Sequence, residues 1–216
     1  MIGMTVRYDD VLDPLRQAYD TRAAWRDGIA KQPWKLAVRQ AFGERVARGG
    51  RLLEIGAGTG QDSAWFQQQG CAVVAADLSP VMVEHCRAKG IEAHVRDFLH
   101  LGFPADSFDA VFAMNCLLHV PNEDLPAVLA GIRAVLRPGG LFFLGVYGKH
   151  ESSEGILEDD QHEPPRFFSW RTDDQLLAFA TAARFTVVDF HPVDTGRGYR
   201  FQSLTLSNSA RDGEDN

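Results

Sequence analysis

The chain has 216 residues, a length that fits one domain with a sizeable buried core. Hydrophobic residues make up 45% of it and charged residues 24%, as is typical of soluble globular proteins. The net charge of −7 lacks the basic footprint of nucleic-acid-binding proteins, and no apolar run is long enough to cross a bilayer. We therefore expect neither a nucleic-acid partner nor a membrane partner.

The N-terminal sequence and the cysteines carry little further information. MIGMTVRYDDVLDPL contains acidic side chains and no apolar core, so no secretory signal is predicted and a cytoplasmic location is expected. Cys71, Cys86 and Cys116 show no paired spacing, which predicts small buried thiols rather than a disulfide framework or a zinc site.

The first fifty residues are predicted to be helical. Apolar side chains recur at helical spacing from Val11 to Tyr19 and from Trp34 to Val46. Gly49 and Gly50 end this part of the chain. We interpret residues 1–50 as a helical cover.

Strands and helices alternate from residue 51 onwards. Strands are predicted at 51–55, 71–77, 91–97, 108–115 and 141–147, with helices at 62–69, 79–89 and 122–136 between them. This order predicts an α/β fold with a doubly wound, mostly parallel, Rossmann-like sheet. After a helix at 173–183, strands at 185–191 and 200–207 predict an antiparallel hairpin at the sheet edge. Residues 51–207 would form one α/β domain, and 208–216 a disordered tail.

A glycine-rich turn follows the first strand, in LLEIGAGTG. Gly56, Gly58 and Gly60 are spaced G-x-G-x-G, so the third glycine comes one position earlier than in the dinucleotide-binding pattern. Glycines let a ligand approach the backbone closely, and free N–H groups at a helix start attract a carboxylate or a phosphate. The turn alone leaves a ligand-free connection open.

Acidic side chains end the next two strands. Asp77 stands about 20 residues after Gly56, where a carboxylate suits a ribose diol. Asp97 ends the third strand and precedes Phe98, so a carboxylate and a ring are available to an adenine. Because the carboxyl ends of parallel strands meet at one rim, the turn and these residues together predict an adenosine site.

These segments resemble those of the class I S-adenosylmethionine-dependent methyltransferases of the small, single-domain, small-molecule type. The similarity covers about residues 45–150, and it is carried by residues 53–60, 77–80 with Met82, 96–98, 108–111 and 136–140. The N-terminal helices and the region after residue 150 lie outside it, and in this family such regions shape the acceptor pocket.

The resemblance implies a binding site for S-adenosyl-L-methionine, which leaves as S-adenosyl-L-homocysteine. The glycine turn would hold the methionine part, Asp77 the ribose hydroxyls, and Asp97 with Phe98 the adenine. Asn115 would face the sulfonium, and two aromatic side chains of the cover would close over the cofactor. The implied cofactor contacts are Glu54, Gly56, Ala57, Gly58, Thr59, Gly60, Asp77, Leu78, Met82, Asp97, Phe98, Asn115, Tyr19 and Trp34.

The catalytic and metal predictions are less specific. His119, in NCLLHVP after the fourth strand, is the candidate general base, and the alternative is a histidine that packs or caps the turn. Cys116 is a weaker candidate for a chemical role, and Lys149 and His150 are candidates to contact the acceptor. No metal is predicted, because the fourth strand ends in Asn115 rather than in an acid.

The segment 148–166 is long and lacks clear periodicity, so it is a candidate lid over the acceptor. Its acidic stretch, made of Asp159, Asp160, His162 and Glu163, is interpreted as a solvated loop rather than a metal site.

The predicted activity is methyl transfer from S-adenosyl-L-methionine to a small-molecule acceptor, with oxygen, nitrogen or carbon as the accepting atom. Two alternatives stay open: a non-catalytic S-adenosylmethionine-binding regulatory protein and an NAD-dependent oxidoreductase. The oligomeric state is not predicted.

Overall fold

The computed structural model describes residues 6–157, 160–196 and 198–208. Three N-terminal helices, α1 (Tyr8–Asp20), α2 (Ala23–Asp27) and α3 (Pro33–Gly43), precede the sheet, as the apolar spacing predicted. We call these three helices the cover. The predicted tail lies outside the described residues except for Asn208, which ends the last strand.

Strands and helices then alternate. The elements are β1 (Arg51–Ile55), α4 (Gln61–Gln68), β2 (Ala72–Asp77), α5 (Pro80–Ala88), β3 (Glu92–Val95), β4 (Phe108–Met114), α6 (Leu125–Val135), β5 (Leu136–Lys149), β6 (Ser153–Ile156), β7 (Phe167–Trp170), α7 (Asp173–Ala182), β8 (Phe185–Asp194) and β9 (Tyr199–Asn208). A short 3₁₀ turn, Leu117–His119, follows β4.

The main sheet has seven strands in the order β3-β2-β1-β4-β5-β9-β8. Strands β1 to β5 pair in parallel, and β9 pairs antiparallel with β5 on one side and with β8 on the other. The α/β fold class and the antiparallel C-terminal edge hairpin are therefore confirmed. The order changes direction beside β1, so the ends of β1 and β4 flank the crevice where such sheets bind ligands.

Local sequence explains where several elements begin and end. The Ser79 hydroxyl accepts a hydrogen bond from the backbone N–H of Met82 at 3.0 Å and caps α5, whose first residue is Pro80. Strand β5 begins at Leu136, earlier than the predicted 141. Its pairing with β4 shifts between Phe108 and Ala110, so Pro138-Gly139-Gly140 forms an irregularity within the strand instead of preceding it.

The segment 148–166 holds more regular structure than predicted. Strand β6 pairs antiparallel with β7 in a separate two-stranded sheet. The exposed, short sequence Ser153–Ile156 shows no alternation of apolar residues that would reveal a strand.

Two apolar cores cover the two faces of the main sheet. One contains the stacked rings of Phe112 and Phe143, whose centroids are 4.7 Å apart. The other extends to the cover, where Tyr8 stacks on Phe98 at 5.9 Å. In the described ranges, no helix is long and apolar enough to span a membrane.

Candidate functional site

A cavity lies where the ends of β1, β2 and β4 meet the cover. We call it the strand-end cavity. Its lining residues are Leu15, Tyr19, Arg26, Gly56, Gly58, Asp77, Leu78, Met82, Phe98, Met114, Asn115, Cys116 and His119. Segments from the cover, the glycine turn and three strand ends therefore converge here, as the sheet topology predicts.

The glycine turn forms one wall and has no room for a side chain at Gly56 and at Gly60. Gly56 has a φ of +62°, and a Cβ on it would lie 2.3 Å from the Cβ of Cys116. Gly60 is also left-handed, at +78°, and a Cβ there would lie 2.9 Å from the Cys86 sulfur. Only glycine fits both positions without displacing a neighbour.

Asp77 closes β2 beside this turn. One of its carboxylate oxygens accepts the Gly58 N–H at 2.8 Å, and the other accepts the Ser79 N–H at 2.9 Å. Burial raises the pKa of the Asp77 carboxyl, and the two backbone donors oppose that rise. Each oxygen keeps a further lone pair for a hydroxyl group in the strand-end cavity.

Two further buried acids lie behind the glycine turn. Burial, with a smaller contribution from nearby Asp62, raises the pKa of Glu54 to about 8, and the Ser63 hydroxyl donates to it. Asp62 accepts hydrogen bonds from Lys31 and, at 3.0 Å, from Arg39. Asp62 was not predicted from the sequence. It links the cover and the segment before α3 to the start of α4.

Apolar side chains also line the strand-end cavity. They are Leu78, Met82 and Phe98. Asp97 does not line the cavity. Its carboxylate accepts the backbone N–H groups of Leu99 at 2.8 Å and His100 at 2.9 Å, so it stabilises the turn after β3.

Asn115 ends β4 in a left-handed conformation, with a φ of +56°. Its backbone N–H donates to the Gly145 carbonyl at 2.7 Å, which fixes the backbone. The side-chain oxygen is buried, and no described residue donates a hydrogen bond to it. An acceptor oxygen in this state favours a ligand with N–H or O–H donors.

His119 is buried in a hydrogen-bond network. Its Nδ1 lies 2.7 Å from the Phe167 carbonyl oxygen, so Nδ1 carries the proton and donates. Its Nε2 lies 2.7 Å from the Tyr19 hydroxyl, which therefore donates to the neutral ring. Burial lowers the pKa of His119 to about 3. The ring is neutral at pH 7, and Tyr19 covers the nitrogen that would accept a proton.

Tyr19 is held from its other side by Arg166. The guanidinium donates to the Tyr19 hydroxyl at 2.9 Å and to the Asp160 carboxylate at 2.7 Å. Desolvation would raise the pKa of Asp160, but hydrogen bonds from Arg166 and, less strongly, His162 outweigh it and hold that pKa well below its usual range. Asp160 and His162 thus anchor the segment before β7. Asp159 lies outside the described residues.

Within residues 6–157, 160–196 and 198–208, no group of three or more His, Cys, Asp or Glu side chains is arranged to hold a metal ion.

The structure brings together nine of the residues implied by the resemblance or proposed as the base: Tyr19, Gly56, Gly58, Asp77, Leu78, Met82, Phe98, Asn115 and His119. Others do not line the strand-end cavity: Glu54, Ala57, Thr59, Gly60, Asp97 and Trp34. Trp34 packs instead on Phe201, with ring centroids 4.6 Å apart. Cys116 lines the cavity, but burial raises the pKa of its thiol well above the usual value.

Sequence reasoning missed two cationic side chains. Arg26 lines the strand-end cavity and lies 5.1 Å from the centre of the Tyr19 ring. Arg171 is only 1% exposed and donates to the carbonyls of Leu117 and Val120, the latter at 2.6 Å. It therefore fixes the turn that carries His119. Neither residue stands in a motif that would have revealed it.

The cover closes the strand-end cavity. The strand-end cavity has a volume of about 60 Å³, far below the roughly 300 Å³ or more of ligand pockets. Leu15, Tyr19 and Arg26 of the cover are among its lining residues. A ligand of nucleoside size therefore requires the cover to move.

Comparison with known proteins agrees with this geometry. Residues 52–140 match a family model described as a methyltransferase domain. Methyltransferase GfsG of Streptomyces halstedii is 34% identical over 104 residues, which are 44% of this chain and 37% of that protein. Demethylmenaquinone methyltransferase of Tropheryma whipplei is 30% identical over 140 residues, 63% of this chain and 57% of that one. The matches span less than two thirds of these curated relatives.

Solved structures extend the similarity along the chain. The 1,6-didemethyltoxoflavin-N1-methyltransferase of Burkholderia thailandensis, solved with 1,6-didemethyltoxoflavin and S-adenosylhomocysteine, is 26% identical with a TM-score of 0.70. That similarity covers 90% of this chain and 85% of the other. The [4+2]-cyclase SpnF has a TM-score of 0.75 at 18% identity, covering 91% and 96%, and shares the fold alone. Over residues 52–140 the chain is therefore similar to methyltransferase domains.

Proposed function

We propose that the protein is an S-adenosyl-L-methionine-dependent methyltransferase that acts on a small molecule. The observation that carries the proposal is the strand-end cavity itself. It combines a glycine turn with no room for a Cβ at Gly56, the Asp77 carboxylate and the buried oxygen of Asn115, which has no hydrogen-bond partner among the described residues. The Burkholderia thailandensis relative with bound S-adenosylhomocysteine supports the same cofactor.

The residues present fit this cofactor. Asp77 has free lone pairs for two ribose hydroxyls, and Leu78, Met82 and Phe98 offer apolar contact to adenine. Asn115 Oδ1 is an acceptor for an ammonium group. Glu54 and the remaining turn residues Ala57, Thr59 and Gly60 would support the methionine part from behind, and Asp97 would act on the adenine after its turn rearranges. When bound, the cofactor supplies an activated methyl group.

The chain's own residues would orient the acceptor, exclude water and hold its proton. Orientation of two reactants in a closed site accounts for roughly 7–11 kcal/mol of barrier lowering in favourable cases. Tyr19 and His119 form a hydrogen-bonded polar pair that lines the strand-end cavity. Because the pKa of His119 is lowered to about 3, its Nε2 does not take a proton; it accepts the hydrogen bond of the Tyr19 hydroxyl and so orients the Tyr19 oxygen, which would accept a hydrogen bond from the acceptor.

The domain organisation follows from this assignment. Residues 51–207 would form the S-adenosylmethionine-binding α/β domain, and residues 1–50 the cover that opens for the cofactor. A cytoplasmic location, a small-molecule acceptor and the absence of nucleic-acid and membrane partners are part of the same proposal. The match of residues 52–140 to a methyltransferase model speaks against the NAD-dependent alternative.

Calorimetric titration with S-adenosylhomocysteine and, separately, with NADH tests the proposal. We expect the first to bind and the second not to bind. Asp77→Ala should weaken S-adenosylhomocysteine binding at least about tenfold, since hydrogen bonds to a charged group are lost. The control is Asp109→Ala, because Asp109 accepts the Arg51 N–H at the amino ends of β1 and β4, away from the strand-end cavity. Equal affinity of both variants would refute the ribose assignment.

Turnover distinguishes the enzyme from a regulatory cofactor-binding protein. The assay follows transfer of a labelled methyl group to a panel of hydroxylated and amine-bearing small molecules. Binding of the cofactor without transfer to any panel member would favour the regulatory alternative.

A further inference from the structure

A second concave surface lies next to the strand-end cavity. It has a volume of about 380 Å³, within the range of small-molecule pockets. We call it the aromatic groove. The side chains that form its walls are Leu118, Tyr147, Leu157, Phe168, Trp170 and Tyr199.

The aromatic groove and the strand-end cavity share a wall. Leu118 lines the groove, and the next residue, His119, lines the cavity. The rings of His119 and Phe168 are 4.8 Å apart and stand between the two spaces. The His119 and Phe168 side chains therefore separate a molecule in the aromatic groove from the proposed methyl donor.

The groove walls are flat rings in a row. Phe168 and Trp170 are two positions apart on β7, so their side chains lie on the same face of the strand. Their rings stack with centroids 5.1 Å apart and an angle of 6° between the planes. The Tyr199 ring lies 6.3 Å from Trp170 with its plane tilted by 53°, so the parallel pair is Phe168 and Trp170 and Tyr199 borders it. Such a surface favours a planar ring that stacks in parallel.

Two lysines that form no salt bridge with a described carboxylate border these rings. Lys149 Nζ lies 4.0 Å from the centre of the Trp170 ring and 5.0 Å from that of Tyr199. Lys35 Nζ lies 5.3 Å from the centre of the Tyr147 ring, and burial lowers its pKa to about 8. No carboxylate in the described part of the chain forms a salt bridge with either lysine. The groove thus has cations that an anionic ligand would neutralise.

We propose that the aromatic groove binds the methyl acceptor, and that this acceptor is a planar aromatic molecule with an anionic group that pairs with Lys149. This inference rests on the proposed methyltransferase function. The stacked rings select the flat part of the acceptor, and Lys149 selects its charge.

The test is calorimetric titration of the full chain with 3-hydroxy-2-naphthoate and with its neutral carboxamide. The naphthoate should bind about tenfold more tightly, because it forms a hydrogen bond between two charged groups. Lys149→Gln should remove that ratio, and Lys149→Arg should retain it. The charge-matched control is Arg16→Gln, which lies on α1 in an exposed pair with Asp13. Equal binding of acid and amide, or an unchanged ratio in Lys149→Gln, would overturn the proposal.

Decahydronaphthalene-2-carboxylate tests the aromatic requirement, since it keeps the charge but not the flat ring. Binding as tight as that of the naphthoate would overturn the stacking part. A parallel titration with S-adenosylhomocysteine separates the two proposals. If S-adenosylhomocysteine binds but the naphthoate and its carboxamide bind equally, the proposal for the aromatic groove alone is overturned. If the naphthoate binds more tightly than its carboxamide but S-adenosylhomocysteine does not bind, the methyltransferase function and the acceptor role of the groove are both overturned.

Discussion

The half of the site that we propose for the cofactor joins residues that are near in sequence, whereas the half that we propose for the acceptor joins residues that are far apart. Gly58 and Asp77, which meet in the first half, are 19 positions apart. Tyr19 and His119, which meet in the second, are 100 positions apart. A backbone turn and strand ends define the first half, and side-chain packing defines the second. Disturbing each half should therefore have a different signature.

The backbone half should be broken most severely by Gly56→Ala. A left-handed non-glycine residue and overlap with Cys116 together cost about 4 kcal/mol of unfolding free energy. Urea denaturation measures this loss. Gly58→Ala is the matched control, because its φ is +56° but no atom lies within 4 Å of the added Cβ. It should cost about 1 kcal/mol. Equal costs would mean that Cys116 moves freely.

Arg171→Met should be the largest disturbance of the side-chain half. It leaves the buried Val120 carbonyl without the Arg171 donor and the Leu117 carbonyl with the Val120 N–H alone among the described donors, which costs about 3 kcal/mol. The control, Arg137→Met, removes a half-exposed guanidinium that pairs with Asp109 and should cost less than about 1 kcal/mol. Similar denaturation midpoints for both variants would contradict the role of Arg171.

The pH dependence of stability sharpens the comparison, because His119 belongs only to the side-chain half. Its pKa falls from 6.5 in the unfolded chain to about 3 in the fold. The unfolded chain therefore binds the extra proton below pH 6.5, and stability falls as the pH falls from 6.5 towards 3. From pH 7 to pH 5 this amounts to about 2 kcal/mol.

His119→Gln should remove this part of the pH dependence, whatever constant cost the substitution carries. Chemical denaturation at both pH values gives the difference. His94→Gln, on strand β3, controls for the loss of a histidine as such. A wild-type pH dependence that persists in His119→Gln would refute the buried neutral imidazole.

Tyr19→Phe should have the smallest effect, about 1 kcal/mol, since it removes one hydroxyl from Arg166 and His119. The cover should open more often, and trypsin should cleave after Arg22 and Arg26 a few times faster. Tyr147→Phe is the control, because the Tyr147 hydroxyl has no hydrogen-bond partner among the described residues. Equal cleavage rates would show that the Tyr19 hydroxyl does not hold the cover.

The same contrast between local features and distant contacts explains which residues of the site could be located from the sequence. The glycine turn and Asp77 were predictable, because a strand end and the following turn are local features. Asp97 was placed at the right strand end, yet it stabilises its own turn, since two backbone donors lie within three residues of it. Arg171 and the Tyr19–His119 pair depend on contacts between distant segments, which no local pattern records.

The sheet was predicted well because alternation and glycine stops are strong signals, as in 51–77. Strand β6 was missed because Ser153–Ile156 is mostly exposed, so burial imposes no apolar pattern on it. Trp34 was expected over the cofactor because aromatic residues at helical spacing look alike, whether they pack on Phe201 or on a ligand.

The separate β6–β7 sheet has a consequence for evolution and engineering. Its ladder hydrogen bonds join β6 only to β7, so none of them continues the seven-stranded sheet. Side chains on this small sheet form part of the aromatic groove, while the glycine turn and Asp77 lie elsewhere. Exchanging residues of β6 and β7 between chains of this fold would therefore alter the walls of the aromatic groove and leave the glycine turn and Asp77 in place, provided that the contacts of Arg166 and Phe167 with Tyr19 and His119 are kept.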